Sequence, residues 1–202
     1  MESSLASLAK PYFTPQEYLA MEREADYKSE CMSGEIFAMS GTSYRHTVIM
    51  SNLVREIGNR LRGGPCRAVG NDLRVLILGT GAYTYPDVVI VCGQPQFGDD
   101  YLDILLNPTV LTEVLSDSTE AFDRGGKFAH YRRLESLQEY VLITLSLMRI
   151  EHFVREGGDR WVLSELNTPE EVLTLASVNT SVLLSDIYED VVFAPSLGIQ
   201  TL

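Results

Sequence analysis

The chain has 202 residues, of which 28 are acidic and 16 are basic, giving a formal net charge of −12. This length is typical of one domain, since domains commonly have roughly 100–200 residues, and a hydrophobic content of 45% excludes a disordered chain. The apolar runs are far shorter than the roughly 18 residues of a membrane span, and residues 1–7 lack the pattern of a signal peptide. We therefore expect one cytoplasmic domain over residues 12–193, with residues 1–11 disordered and residues 194–202 as a tail.

The three cysteines are Cys31, Cys66 and Cys92. They are far apart in the chain, odd in number and show no C-x-x-C spacing. We therefore expect all three to be buried thiols in a reducing cytosol.

The charge is distributed unevenly along the chain. Residues 45–74 and 124–133 together contain ten of the 16 basic residues and two acidic ones, a net charge of +8, so the other residues sum to −20. The total of −12 argues against a partner rich in phosphate, whereas the two basic segments could either be solvated helix faces or bind phosphate. The candidates for nucleic-acid contacts are Arg55, Arg62, Arg74 and Arg124.

In the first third of the chain, capping residues and hydrophobic periodicity predict two helices and a hairpin. Thr14 can cap the first helix, Pro15 suits its first position and Glu17 completes a capping box. In the second helix apolar residues recur at every fourth position, and a Gly-Gly-Pro sequence ends it. The predicted elements are a helix over residues 14–24, a hairpin over residues 27–39 with its turn at Ser33-Gly34, and a helix over residues 44–62.

Later in the chain, apolar runs separated by turn residues predict strands. Gly79-Thr80-Gly81 is typical of a tight hairpin, and a Gly-Gly pair at residues 157–158 indicates a second one. The predicted elements are strands over residues 68–78, 85–92, 110–115, 139–145, 149–155 and 160–166, a helix over 124–134, and a helical turn over 183–188. This order indicates a mixed α/β fold around one sheet.

Three carboxylates interrupt the apolar pattern of these strands. Glu113 lies inside Val110–Leu115, a run typical of a central strand, where an ionised group is costly unless it is paired or binds a metal. Asp87 follows Pro86 at the start of an apolar strand, and Asp72 precedes another strand. Each of the three could instead form an ion pair with an arginine or cap a turn, and for Asp72 that structural interpretation is favoured because Arg74 is close.

The helix predicted over residues 124–134 contains a basic residue on the face that meets the sheet. Lys127, His130, Tyr131 and Leu134 share one face at helical spacing. Lys127 could therefore reach the sheet, or it could extend to solvent. His46 lies on the apolar face of the earlier helix, where a core histidine is favoured over a catalytic one.

Two carboxylates on neighbouring strands and a nearby lysine could cleave a phosphodiester. Asp87 and Glu113 would supply oxygen ligands for Mg²⁺ or Mn²⁺. The bound ion would polarise the phosphate and activate water. Lys127 would orient that water or stabilise the charge that develops at phosphorus. A pair of glycosidase carboxylates is an alternative, but the lysine and the arginines suit phosphate better.

Three segments resemble the Uma-type restriction endonuclease family, a former domain-of-unknown-function family of the PD-(D/E)xK nuclease superfamily. They are Tyr85-Pro-Asp-Val-Val, Pro108-Thr-Val-Leu-Thr-Glu-Val-Leu-Ser and Asp123-Arg-Gly-Gly-Lys-Phe-Ala-His-Tyr. The resemblance covers roughly residues 12–193. It implies a restriction-endonuclease-like fold, α/β (α+β mixed), with a central mixed β-sheet flanked by helices, an N-terminal helix and hairpin, and a C-terminal β-hairpin.

The resemblance also implies roles for particular residues. Asp87 and Glu113 would bind Mg²⁺, and Lys127 would replace the lysine that the superfamily carries two residues after the glutamate, where this chain has Leu115. The supporting residues would be Glu35, His46, Asp72 and Tyr131.

Two classes of function remain open from the sequence. One is a Mg²⁺-dependent DNA endonuclease, expected to be a homodimer because cutting two antiparallel strands is simplest with two-fold symmetry. The other is a non-catalytic protein that keeps the nuclease fold and binds nucleic acid or another protein. The net charge and Leu115 favour the second class, whereas the placement of Asp87, Glu113 and Lys127 favours the first.

Overall fold

A computed structural model describes residues 11–39, 41–116 and 119–193. The predictions for the N-terminal residues 1–10 and for the tail over 194–202 lie outside the described residues. None of the helices in the described ranges combines the length and apolar character needed to cross a bilayer.

Seven helical elements occur in the described part of the chain, and two of them begin at a capping side chain. Thr14 forms the predicted capping box with Glu17 at the start of the first helix, and the Ser43 hydroxyl accepts a hydrogen bond from the backbone N–H of His46 at the start of the second. The helical elements are α1 (Pro15–Glu24), α2 (Tyr44–Arg60), α3 (Glu120–Phe122), a π-helical turn (Asp123–Lys127), α4 (Phe128–Tyr131), a 3-10 turn (Ala176–Val178) and α5 (Leu184–Ile187).

The described residues contain thirteen strands in three sheets. Five strands form one sheet in the order β2-β1-β5-β4-β7, six form another in the order β11-β10-β9-β8-β6-β3, and β12 pairs with β13. Within the two larger sheets, β4 and β7 run parallel, as do β8 and β9, and the other neighbours are antiparallel. The strands are β1 (Ser29–Met32), β2 (Glu35–Ala38), β3 (Cys66–Gly70), β4 (Arg74–Ile77), β5 (Ala82–Thr84), β6 (Val88–Cys92), β7 (Ile104–Leu105), β8 (Val110–Leu115), β9 (Glu139–Thr144), β10 (Ile150–Arg155), β11 (Trp161–Leu166), β12 (Val172–Leu175) and β13 (Thr180–Leu183).

Several predicted elements are confirmed. The first hairpin turns at Ser33 and Gly34, both of which have positive φ as a two-residue turn requires. The hairpin at Gly79-Thr80-Gly81 joins β4 to β5, and the C-terminal hairpin is β10–β11.

The predictions of two long strands were wrong. The run over residues 68–78 divides into β3 and β4, which belong to different sheets, because a Gly-Asn-Asp turn at residues 70–72 interrupts it. The run over residues 85–92 contains only β6, because Pro86 has no N–H for a strand ladder and pairing begins two residues later. As a result the molecule has two large sheets where the sequence predicted one.

The helix predicted over residues 124–134 begins earlier, at Glu120, and contains the π-helical turn. The sequence also missed the β12–β13 hairpin and the short strand β7.

The six-stranded sheet has an apolar layer on each face. Val88 and Ile90 pack with α2 and α5, whereas Val89 and Leu111 pack with the five-stranded sheet and the helical segment over residues 120–131. Because strand side chains alternate between faces, residues 87 and 113 point to the second side. This places them between the two large sheets.

The thiol prediction was wrong for two of the three cysteines. Cys66 and Cys92 are register partners on the antiparallel strands β3 and β6, with Cα atoms 4.0 Å apart, and form a disulfide. The error arose because neighbours across a sheet need not be close in sequence. Cys31 is a buried free thiol.

Candidate active site

Asp87 and Glu113 lie opposite each other across two antiparallel strands. Val88 pairs with Thr112 in the β6–β8 ladder, so continuing the register by one residue sets Asp87 across from Glu113. The backbone N–H of Val114 donates to Asp87 Oδ2 at 2.8 Å, which ties the residue to β8 although it precedes β6. Side chains at opposed positions share a face, so the two carboxylates point into the same space.

Lys127 enters this space from the π-helical turn. A π-turn inserts one residue into a helix and is frequent at functional sites. The Lys127 side chain is buried, and its Nζ lies 3.0 Å from Glu113 Oε1. The lysine predicted to reach the sheet from this helix therefore contacts the strand glutamate.

Two further carboxylates contact Lys127 and were missed as site residues. Glu30 on β1 places Oε1 2.9 Å from Nζ and also accepts the backbone N–H of Tyr85 at 2.9 Å. Asp123 lies 3.7 Å from Nζ, one turn earlier in the helix. The spacing of four residues between Asp123 and Lys127 was a readable signal, whereas no local pattern links Glu30 to this helix.

Two of the residues named as supporting candidates contact the carboxylates. His46 Nε2 lies 3.1 Å from Asp87 Oδ2, and the Tyr131 hydroxyl donates to Glu113 Oε1 at 2.7 Å. His46 comes from the first turn of α2, which Ser43 caps, so the start of that helix fixes its position. A histidine that the sequence favoured as a core residue thus contacts a candidate ligand.

The cluster carries an excess of acid that perturbs its protonation. Burial raises the pKa of Glu113 well above its usual range and also raises that of Asp123, although the charge of Lys127 opposes both shifts. Burial works to lower the pKa of Lys127, but Glu113, Glu30 and Asp123 outweigh it and raise that pKa well above its usual range. Lys127 is therefore a permanent cation at neutral pH.

Apart from Tyr131, the site residues described so far line one cavity of about 690 Å³. Among the described residues, its wall includes four carboxylates, His46 and two permanent cations, Arg45 and Lys127. The wall also contains small hydroxyl residues, such as Thr42 and Ser43, and the phenylalanines Phe37 and Phe122. A concave site that contains strongly perturbed titratable groups is typical of an active site.

Two other supporting candidates lie outside this cavity lining. Asp72 is exposed in the turn between β3 and β4 and forms an ion pair with Lys28, not with Arg74. Glu35 is the first residue of β2, where it pairs with Met32 across the hairpin.

The four candidate arginines do not form one exposed basic face. Arg55 pairs with two glutamates, and Arg62 lies in the turn after α2, at the opposite end of the helix from His46. Arg74 is buried with its guanidinium on the Tyr85 hydroxyl, so it is not available to a phosphate backbone.

Arg124 likewise pairs with two carboxylates, those of Glu120 and Glu151. Among the described residues, five of the ten basic residues in the two basic segments have carboxylate partners. About half of the positive charge that is concentrated in the sequence is therefore paired in space.

The comparison with protein families is decisive for classification. Residues 15–184 match the family model described as "Uma2: Putative restriction endonuclease". The chain belongs to the Uma2 family.

The chain is also similar to two curated relatives and to a solved structure. Two proteins of Synechocystis sp., called "Uncharacterized protein sll1609" and "Uncharacterized protein slr1290", are 38% and 34% identical over 157 and 183 residues. These matches span 76% and 91% of this chain and 86% and 95% of the relatives. A crystal structure from Anabaena variabilis, titled as a "putative nuclease belonging to DUF820", superposes with a TM-score of 0.73 at 18% identity, covering 87% of this chain and 97% of that one. The Uma2 chain thus has the restriction-endonuclease-like fold.

The carboxylates of this Uma2 protein's cavity are candidate ligands for a divalent metal. In the described ranges no group of three or more His, Cys, Asp or Glu residues is arranged to hold a metal by itself. Mg²⁺ usually needs only one or two carboxylates, however, because waters and substrate oxygens complete its shell. The contacts of the two strand carboxylates engage Oδ2 of Asp87 and Oε1 of Glu113, and within the described ranges no side chain or N–H is bonded to Oδ1 or Oε2, which could face a cation. The residues therefore fit Mg²⁺ or Mn²⁺.

Proposed function

We propose that this protein is a Mg²⁺- or Mn²⁺-dependent endonuclease that hydrolyses phosphodiester bonds of DNA. The observation that carries the proposal is the opposition of Asp87 and Glu113 across β6 and β8, with Lys127 Nζ 3.0 Å from Glu113, inside one cavity. Membership of a family described as a restriction endonuclease makes phosphodiester hydrolysis the favoured reaction for this constellation.

Asp87 and Glu113 would hold the metal through the oxygens that have no contacts from the described residues. A divalent ion at such a site polarises phosphate and lowers the pKa of bound water. His46 and the Val114 N–H orient the Asp87 carboxylate from one side. Tyr131 fixes Glu113 through its hydroxyl. These contacts limit the rotation of both ligands, which preorganises the site.

Lys127 acts in this proposal as a fixed positive charge. The surrounding carboxylates raise its pKa well above the usual range, which favours the charged ammonium over the neutral amine of a general base. Its ammonium instead stabilises the negative charge that develops on the phosphoryl oxygens. Of the two roles that the sequence left open for Lys127, the electrostatic one agrees better with its surroundings.

A homodimer remains part of the proposal, because two copies related by a two-fold axis could cut both strands of a duplex. Light scattering coupled to size-exclusion chromatography measures the mass directly. A mass of one chain of 22.5 kDa at the concentration of the cleavage assay would rule out this part.

The test is a cleavage assay on supercoiled and linear DNA with Mg²⁺, Mn²⁺ or EDTA. We expect metal-dependent cleavage that Asp87→Asn, Glu113→Gln and Lys127→Met each reduce by at least about 100-fold, the usual loss when one preorganised charge at a reacting centre is removed. Glu165→Gln and Lys28→Met are matched controls, since these residues lie outside the cavity lining, and both should retain activity.

The outcomes separate the two functional classes. Cleavage that survives all three cavity substitutions would come from a contaminating nuclease. DNA binding without cleavage at any metal concentration would contradict hydrolysis and favour the non-catalytic alternative. Circular dichroism of each variant verifies that loss of activity is not loss of folding.

A further inference from the structure

Two partly exposed phenylalanines lie at the same cavity as the proposed catalytic residues. Phe37 on β2 is 45% exposed and Phe122 in α3 is 41% exposed. Their ring centroids are 6.4 Å apart, and the ring planes differ by 27°. The rings are nearly parallel, in a stacked arrangement, and both stay partly accessible; we call this pair the Phe37–Phe122 platform.

The platform is adjacent to the reacting centre through two short connections. Phe37 is the register partner of Glu30 in the β1–β2 hairpin, and Glu30 contacts Lys127. Phe122 directly precedes Asp123, which also faces Lys127. Phe37 is therefore the cross-strand neighbour, and Phe122 the sequence neighbour, of a carboxylate residue that faces Lys127.

The position of the Phe122 ring depends on a glycine in the π-helical turn. A Cβ at Gly126 would lie 2.5 Å from a carbon of this ring, closer than real contacts allow. The absence of a side chain at Gly126 thus makes room for the ring beside the helix. The ring therefore lies against the turn that carries Lys127.

The charge of the molecule makes such a platform useful. Most nucleic-acid binders obtain affinity from cations that displace counterions from phosphates. This chain, however, has a net charge of −12, and the described part of the cavity wall has four carboxylates and two permanent cations. Stacking of bases on aromatic rings contributes about 1–3 kcal/mol per base and requires no positive charge. Stacking on the platform is possible only for a base whose face is not covered by its neighbours in a duplex.

We propose that the Phe37–Phe122 platform binds an unstacked base, and that the substrate of this site is a single-stranded or locally opened nucleic acid. The base stacks on the rings while its phosphate lies at the Asp87, Glu113 and Lys127 cluster. This inference rests on the proposed function, since it assigns the substrate class of the same site.

The experiment measures binding by fluorescence anisotropy in EDTA, so that no strand is cut. The probes are a mixed-sequence DNA single strand, the same strand in a duplex, and the same strand with abasic positions. We expect the single strand to bind more tightly than the duplex, and Phe37→Leu and Phe122→Leu each to weaken that binding about fivefold or more. Tyr27→Leu, which removes an exposed ring outside the cavity lining, serves as the matched control.

The abasic strand tests stacking itself. It should bind the wild-type protein as weakly as the intact strand binds the Phe variants, and the Phe substitutions should not weaken it further. Equal losses for intact and abasic strands would overturn the stacking role, as would tighter binding of the duplex. Loss of self-association in the Phe variants, with unchanged oligonucleotide affinity, would instead assign the platform to a second copy of the chain and overturn the inference.

Cleavage with Mn²⁺ on the same probes separates this inference from the proposed function. If duplex is cut at the same rate by wild type and by both Phe variants, the nuclease proposal stands and the stacking inference is wrong. If the rings govern single-strand binding but nothing is cut, the stacking inference stands as a binding function and the nuclease proposal is wrong.

Discussion

Two buried acids on neighbouring strands have opposite surroundings. Glu113 on β8 lies beside Leu142 of β9, and Glu139 on β9 lies beside Val110 of β8, so the two are close within one parallel pair of strands. Alternation of side chains sends Glu113 toward the five-stranded sheet and Glu139 toward the opposite face. Both side chains are almost completely buried.

Glu139 is fully paired. Its Oε2 lies 2.6 Å from His152 Nε2, and its Oε1 accepts the backbone N–H of Ser177 at 2.7 Å. Burial works against the charge of Glu139, but the hydrogen bonds from His152 and Ser177 outweigh it and lower its pKa. This acid connects the end of β12 to the large sheet and does not line the cavity.

Glu113 is, in contrast, one of several acids around a single lysine, and burial raises its pKa. A buried carboxylate whose oxygens all have donors contributes to the fold. A buried carboxylate in an excess of negative charge beside a cavity is unfavourable for the fold, and a cation would relieve the excess. Burial is therefore alike for the two acids, whereas the local balance of charge around them differs.

The largest expected difference between the two acids is in their response to metal. A cation that binds only the folded protein stabilises it by about 2.7 kcal/mol at one hundred times its Kd, which raises the Tm of a chain of this size by about 5–10 °C. We expect Mn²⁺ to cause this shift in the wild type and in Glu139→Gln but not in Glu113→Gln, measured by differential scanning fluorimetry. An equal shift in Glu113→Gln would contradict metal binding by that residue.

A smaller difference is expected in stability without metal. Glu139→Gln removes the charge that His152 faces and should lower the free energy of unfolding by about 1–3 kcal/mol. Glu113→Gln keeps an oxygen for the Tyr131 hydroxyl, and Lys127 retains Glu30, so this variant should be at least as stable as the wild type in EDTA. Urea titrations of both variants measure the difference. Equal destabilisation would mean that both acids are structural.

The sequence predicted the surroundings of Glu113 much better than those of Glu139. Asp87, Glu113 and Lys127 could be predicted to lie together because two acids interrupt apolar strands and a lysine lies on a helix face directed at the sheet. All three signals are local patterns of alternation and periodicity.

Contacts between distant parts of the chain were the source of the errors. Glu30 reaches Lys127 from a short hairpin strand, His46 contacts Asp87 across the end of the sheet, and Cys66 meets Cys92 only because β3 and β6 are paired. No periodicity within a single segment carries that information. The turn at residues 70–72 was different, because its Gly-Asn-Asp sequence was a readable signal that could have divided the long strand.

The smallest expected effect is a difference in pH dependence. An acid with a raised pKa contributes stability below its unfolded pKa, about 4.3 for glutamate, and loses that contribution as pH rises through its folded pKa. The free energy of unfolding of Glu113→Gln should therefore increase relative to wild type as pH rises from 5 to 9, by less than about 1.4 kcal/mol per pH unit, the limit for one proton. Its Tm should rise relative to wild type over the same range. An acid with a lowered pKa behaves in the opposite way, so the deficit of Glu139→Gln should stay constant above pH 5 and shrink only below about pH 4.3. Thermal unfolding in EDTA from about pH 3.5 to pH 9 covers both windows. Parallel curves for the two variants would mean that the protonation of Glu113 and Glu139 is not controlled by their different surroundings.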